Sequence, residues 1–239
     1  MTHSLPLKAK VMIGAVATAS VAALAIGALR WQAHWSELAL LLVAAVLSSR
    51  LRVKLPGMAS SMSGNLPIIL LAVTQLGLLE SLLVAAASAV AQSYDPSGKK
   101  TRPVQFVFNA CTLLNAAGLA YLVYHNPIFA GHTPSHARSV VLAATTYFLA
   151  NTAPVASIIG FTERVNPFAL WHKVFLWSFP NYVIGAGLTA IASTFSTLNS
   201  LLTVGGLLAV LFGIYLSYKT YFGRIEQVPL KTMAAGAGR

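Results

Sequence analysis

Glu80 sits inside a long apolar run, shortly after Gln75-Leu76-Gly77. A carboxylate at membrane depth can bind a cation, exchange a proton or pair with a base such as Arg30 or Arg138. It can equally cap a helix, because an acid in the first turn favours the dipole. Asn109 and Asn115 share a second apolar run, Asn151-Thr152 stands just before Pro154 in a third, and Trp177-Ser178-Phe179-Pro180-Asn181 belongs to a fourth. Each of these prolines frees a carbonyl one turn back, that of Ala150 or of Leu176, and neighbouring amides and hydroxyls can satisfy it. Such side chains serve either as glue between helices or as the lining of a ligand site. Gln75, Glu80, Asn109, Asn151, Trp177 and Asn181 are the candidate ligand-binding residues.

No catalytic, cofactor or metal motif accompanies them. The chain holds no Gly-rich loop ending in Lys-Ser/Thr, no His-Glu-x-x-His and no Gly-x-Ser-x-Gly. His3, His34, His125, His132, His136 and His172 fall in or beside loops, and His132 and His136 flank Pro134, which argues against a helical metal pair. Cys111 has no second thiol to pair with. Trp31, Trp35, Trp171 and Trp177 lie near the ends of apolar runs, where an aromatic belt forms. These features predict a protein that is not an enzyme and needs no cofactor.

The elements that must hold these residues are membrane helices. Of 239 residues 56% are hydrophobic and only 9% charged, with a mean hydropathy of +0.71, which excludes an ordinary soluble globule. The net charge of +11 comes from small basic groups scattered between apolar runs, the pattern of membrane loops rather than of a nucleic-acid surface. A bilayer core needs about 20 apolar residues per helix. Residues 11–29, 105–124, 139–161 and 174–197 reach that length, while 200–217 and 36–49 are shorter. The first run follows Lys8 and Lys10 but is too long for a signal-peptide h-region, so it reads as a membrane helix.

Residues 66–91 decide the topology. If they enter and leave on one side, fourteen of the sixteen Lys and Arg share that side, and only Arg30 and Arg138 lie opposite. A single crossing splits the basic residues six to ten and violates the positive-inside rule. It would also put Glu80 near the midplane at roughly 2.5–3.5 kcal/mol. The run is therefore expected to break near 75–80 into two arms of about 12 residues, each roughly 18 Å long as a helix. The predicted fold is all-α: a polytopic membrane helical bundle with six longer helices plus a broken or re-entrant helical hairpin. Residues 1–10 form a cytoplasmic N-terminus, 11–217 the membrane domain and 218–239 a cytoplasmic tail, with Pro229 interrupting any helix there. The basic stretch Arg50-Leu51-Arg52-Val53-Lys54 suits anionic lipid headgroups.

Several stretches together resemble a known family. They are Val53-Lys54-Leu55-Pro56-Gly57-Met58, Met62-Ser63-Gly64-Asn65, Arg102-Pro103-Val104-Gln105 with Phe108-Asn109, Asn151-Thr152-Ala153-Pro154-Val155-Ala156, Thr162-Glu163 and Trp177-Ser178-Phe179-Pro180. Over roughly residues 50–226 the chain is similar to the bacterial membrane-associated sensor domains of the MASE type, in particular their ninth class. That resemblance implies a multi-pass sensor of the bacterial inner membrane and transfers no catalytic residue. Such domains typically precede cytoplasmic signalling modules, yet none follows Tyr221-Phe222-Gly223-Arg224-Ile225-Glu226 in these residues, so the expected output is a separate cytoplasmic signalling protein. The expected function is detection of a small or lipophilic ligand. A solute-binding membrane subunit of a transporter is the alternative, because broken helices and midplane polar residues suit it too.

Overall fold

The computed structural model describes residues 5–31, 34–54, 61–93, 103–130, 135–196 and 200–236. His3, His132, the Pro56-Gly57 turn and Lys99, Lys100 and Arg102 lie outside them. The order is α1 (Leu7–Leu29), α2 (Trp35–Arg50), a ribbon of β1 (Arg52–Lys54) and β2 (Ser61–Ser63), α3 (Leu66–Gln75), α4 (Leu78–Ser93) and α5 (Pro103–His125). There follow α6 (Pro127–Ala130), α7 (His136–Glu163), α8 (Pro167–Leu170), a π turn (Trp171–Phe175), a 3-10 turn (Leu176–Ser178), α9 (Phe179–Ser196) and α10 (Ser200–Gly236). Because α8 to α9 form one helical rod over 167–196, the six longer helices and the broken hairpin of an all-α bundle are all present. Among the described residues, five helices are long and apolar enough to cross a membrane: Leu7–Leu29, Pro103–His125, His136–Glu163, Pro167–Phe195 and Ser200–Thr220.

The ribbon pairs Arg52 with Ser63, Val53 with Met62 and Lys54 with Ser61, antiparallel. It closes the connection between α2 and α3 at the end of the bundle where Arg50 lies, and the Gly64 amide donates to the Leu51 carbonyl at 3.2 Å.

The short helix α3 is the central post. Its residues Leu66 to Val73 are all buried, and it packs against α2, α4, α5, α7 and α9. A helix that is apolar all round belongs inside a bundle. Enclosed by protein, it need not match the bilayer thickness, which is why 10 residues suffice. The break after it falls at Leu76-Gly77, beside His34 and His125, so the hairpin runs from the Arg50 end to the opposite end and returns through α4.

Small residues set the closest approach of α1. Its buried residues are Ala9, Ser20 and Gly27, and a Cβ on Gly27 would meet the Leu79 amide nitrogen at 3.0 Å and its Cα at 3.1 Å. Ser20 donates to the Cys111 carbonyl at 3.0 Å and Asn115 donates to the Val16 carbonyl at 2.9 Å, so α1 is fastened to α5 by polar glue.

One expectation is corrected. The last helix continues through Pro229 to Gly236 instead of ending before it. Proline removes one backbone hydrogen bond and crowds the preceding turn, but Leu230-Lys231-Thr232-Met233-Ala234-Ala235 is mostly good helix former, so the helix resumes its bonding past the single gap.

Candidate functional site

The rod over 167–196 changes its winding where Pro180 approaches. Pro180 is the second residue of α9, a position where a missing N–H leaves no intrahelical bond unmade. The carbonyl of Leu176, which Pro180 cannot bond, accepts from the Phe179 amide through the 3-10 turn. The π turn before it widens the rod by part of a turn, and such turns recur at functional sites. This irregular stretch presents Val174, Phe175 and Ser178 to a cavity of about 270 Å³.

That cavity is bounded by α7 (Tyr147, Asn151, Thr152, Val155), by the first half of α9 (Asn181, Tyr182, Ile184, Gly185, Leu188) and by α10 (Leu211, Ile214, Tyr215, Tyr218). Leu51, Asn65, Leu66 and Gln92 close it from the Arg50 end of the bundle. Asn151 Nδ2 donates to the Tyr182 hydroxyl at 3.2 Å, linking α7 to α9 across its wall. Trp171 Nε1 donates to Thr152 Oγ1 at 2.9 Å, and Thr152 donates in turn to the Phe148 carbonyl at 2.7 Å. Phe148 backs this wall, with ring centroids 4.8 Å from Tyr182, 5.2 Å from Phe179 and 5.8 Å from Trp171. A Cβ on Gly185 would meet Leu66 Cδ2 at 2.7 Å, so the glycine lets α9 lie directly against the central post.

Of the six candidate residues, Asn151 and Asn181 line this cavity. Trp177 points away and is 73% exposed, in keeping with a bilayer-facing belt, and Asn109 is exposed on the outer face of α5. Gln75 ends α3 at the opposite end of the bundle. Glu80 is there too and is fully buried. Its Oε2 accepts from the Gly77 amide at 2.7 Å, the reach-back of a capping box, and its Oε1 accepts from the His34 amide at 2.9 Å with His34 Nδ1 at 3.4 Å. Ser81 completes the break by donating to the Ala72 carbonyl at 3.1 Å and to the Gly77 carbonyl at 2.9 Å. Glu80 thus holds together the two arms of the hairpin and the connection between α1 and α2.

The same end holds two further ties that the sequence reading missed. His125 Nε2 donates to the Val73 carbonyl at 3.0 Å, and His136 joins Tyr124 Oη (3.0 Å) to Ser193. Tyr147 and Tyr182 were also passed over as lining. Their spacing of one tyrosine per apolar run gives no signal beyond core aromatics. Among the described residues no three of His, Cys, Asp and Glu come together.

An all-α bundle of membrane-length apolar helices around a cavity walled by amides, tyrosines and the last helix defines a polytopic membrane protein. The model of the MASE9 family matches residues 34–222, and the chain belongs to that family of membrane-associated sensor domains. The match begins at His34, so α1 precedes it and the Glu80 tie lies at its start. No curated protein and no solved structure matches the chain.

Proposed function

We propose that this is a non-enzymatic sensor of the bacterial inner membrane that binds a small or lipophilic ligand in the cavity between α7, α9 and α10 and signals to a cytoplasmic protein through α10. One observation supports it above the others: α10 is at once a wall of the cavity and the helix that runs on past the apolar stretch ending at Thr220 to Gly236. Among the described residues α10 packs chiefly against α2, α9 and β1, so an occupant that spreads α9 from α10 displaces the helix that carries Lys219, Arg224 and Lys231. A ligand shifts such an equilibrium by its differential affinity for the two positions of that wall. The distribution of basic residues supports cytoplasmic termini on this reading.

The test is to isolate the protein in patches of its native membrane and identify retained small molecules by mass spectrometry, for the wild type and for Leu188→Trp, which fills the cavity. A molecule enriched with the wild type and lost from a folded Leu188→Trp variant is the expected result. Identical profiles overturn the cavity as the sensing site.

A further inference from the structure

We infer that the cavity takes an uncharged amphiphile, a flat ring bearing a hydroxyl or carbonyl oxygen with a hydrocarbon tail, which enters sideways from the bilayer between α9 and α10. The inference rests on the sensor reading above and deepens it by naming the ligand class. Among the described residues that line the cavity, none is Asp, Glu, Lys, Arg or His. A charged ligand would therefore be stripped of water with no counter-charge to meet it, which opposes its binding. A wholly apolar ligand would leave a polar wall unused. Asn151 donates to the Tyr182 hydroxyl, and that leaves the Tyr182 O–H as a donor and Asn151 Oδ1 as an acceptor on adjacent helices. One oxygen that both donates and accepts answers this pair. The Asn151–Tyr182 pair bridges α7 and α9, whereas Leu66, Leu188, Leu211 and Ile214 line the cavity with hydrocarbon, so an oxygen-bearing head and an apolar tail each find groups to meet.

The route follows from how α9 and α10 meet. They are buried against each other and the bundle near their connection, at Ala192, Val204 and Leu207. The cavity lies between the halves farther from it, where Ile184 is 50% and Tyr218 36% exposed at the rim. With 167–195 and 200–220 both apolar enough to cross a bilayer, an exposed rim between them opens toward lipid. The volume equals about nine waters at roughly 30 Å³ each, enough for a substituted ring and a short tail, with a longer tail left in the bilayer. Tyr147, Tyr182, Phe175, Tyr215 and Tyr218 supply the flat surfaces against which a ring packs.

Tritiated 4-hexylphenol, neutral at pH 7, is titrated onto the full chain in lipid nanodiscs, with protein-free discs as background. Hexylbenzene and 4-hexylbenzoate compete. The proposal requires saturable binding, competition by hexylbenzene at least tenfold weaker than by unlabelled 4-hexylphenol, and none by the charged 4-hexylbenzoate. Tyr182→Phe, which keeps the ring, and Asn151→Leu each weaken binding by about five- to tenfold, the size of one lost hydrogen bond. Effective competition by 4-hexylbenzoate, equal competition by hexylbenzene, wild-type affinity in both variants, or no saturable binding overturns the ligand class. The sensor reading fails separately, when Leu188→Trp leaves the molecules retained from native membranes unchanged.

Discussion

Replacing Glu80 tests whether a buried carboxylate at the hairpin break is structural. Its two oxygens accept from the Gly77 and His34 amides at 2.7 and 2.9 Å, the carboxylate itself fully buried while His34 reaches solvent. In Glu80→Ala both N–H groups lose their acceptor; a buried unsatisfied donor costs about 1–3 kcal/mol, and since water can reach the exposed His34 the two together lose about 2–4 kcal/mol. In Glu80→Gln one oxygen still accepts, while the amide NH2 faces a backbone donor, which sets the loss at about 1–3 kcal/mol. For a chain of this size each kcal/mol lowers Tm by roughly 2–4 °C, so Glu80→Gln melts several degrees below wild type and Glu80→Ala lower still. Tryptophan fluorescence reads the transition in nanodiscs, from Trp31 and Trp35, in contact at 5.1 Å on either side of the His34 connection, together with Trp171 and Trp177 on the 167–196 rod. Binding of 4-hexylphenol stays at wild-type affinity in Glu80→Gln, since Glu80 does not line the cavity. A Glu80→Gln variant that melts with wild type but loses ligand binding or a proton response refutes the reasoning and makes the carboxylate functional.

Gly27→Ala forces a methyl against the backbone of Leu79, which has no side-chain freedom to yield, and lowers stability by about 1–3 kcal/mol, whereas Gly14→Ala, with nothing within 4 Å, stays within about 0.5 kcal/mol of wild type in the same melts. Reporters fused at Thr2 and Arg239 both read cytoplasmic, and a periplasmic signal from either breaks the even-crossing topology. A chain cut after Thr220 keeps every cavity-lining residue and binds 4-hexylphenol as the full chain does, yet loses the cytoplasmic protein that co-purifies with the full chain. Equal recovery of that protein by both forms rules out signalling through the end of α10. Vesicles holding the chain accumulate no labelled 4-hexylphenol against a gradient on addition of ATP or a proton gradient, and accumulation favours the transporter alternative.

The break in 66–91 was legible because two independent constraints met there: the sidedness of the basic residues and the penalty on a midplane Glu80. Asn151 and Asn181 stood out as either glue or lining because each lies beside a proline; the structure puts both on the cavity wall, with Asn151 also joining α7 to α9. The partner of Glu80 was not legible. His34 is separated from it by 46 positions and contributes mainly a backbone amide, which no residue type announces. The outward face of Asn109 was equally hidden, since α5 is apolar around most of its circumference and carries no amphipathic period to say which side meets protein. Pro229 misled because local propensity beyond it outweighed a single missing bond.

The distribution of restraints through the bundle connects the buried post to the site. One end is tied by Glu80, His125 and His136, each joining helices through a hydrogen bond. At the other end α3 is enclosed on all sides, and Thr189 of α9 donates to the Pro67 carbonyl at 3.3 Å, so the part of α9 behind the cavity is fixed to the post. The opposite wall is α10, which packs against α2 and α9 and meets the cavity with Leu211, Ile214, Tyr215 and Tyr218. On the sensor proposal, an occupant therefore presses between a part of α9 held to the post and the face of α10 that lines the cavity, and the response expected is a shift of α10.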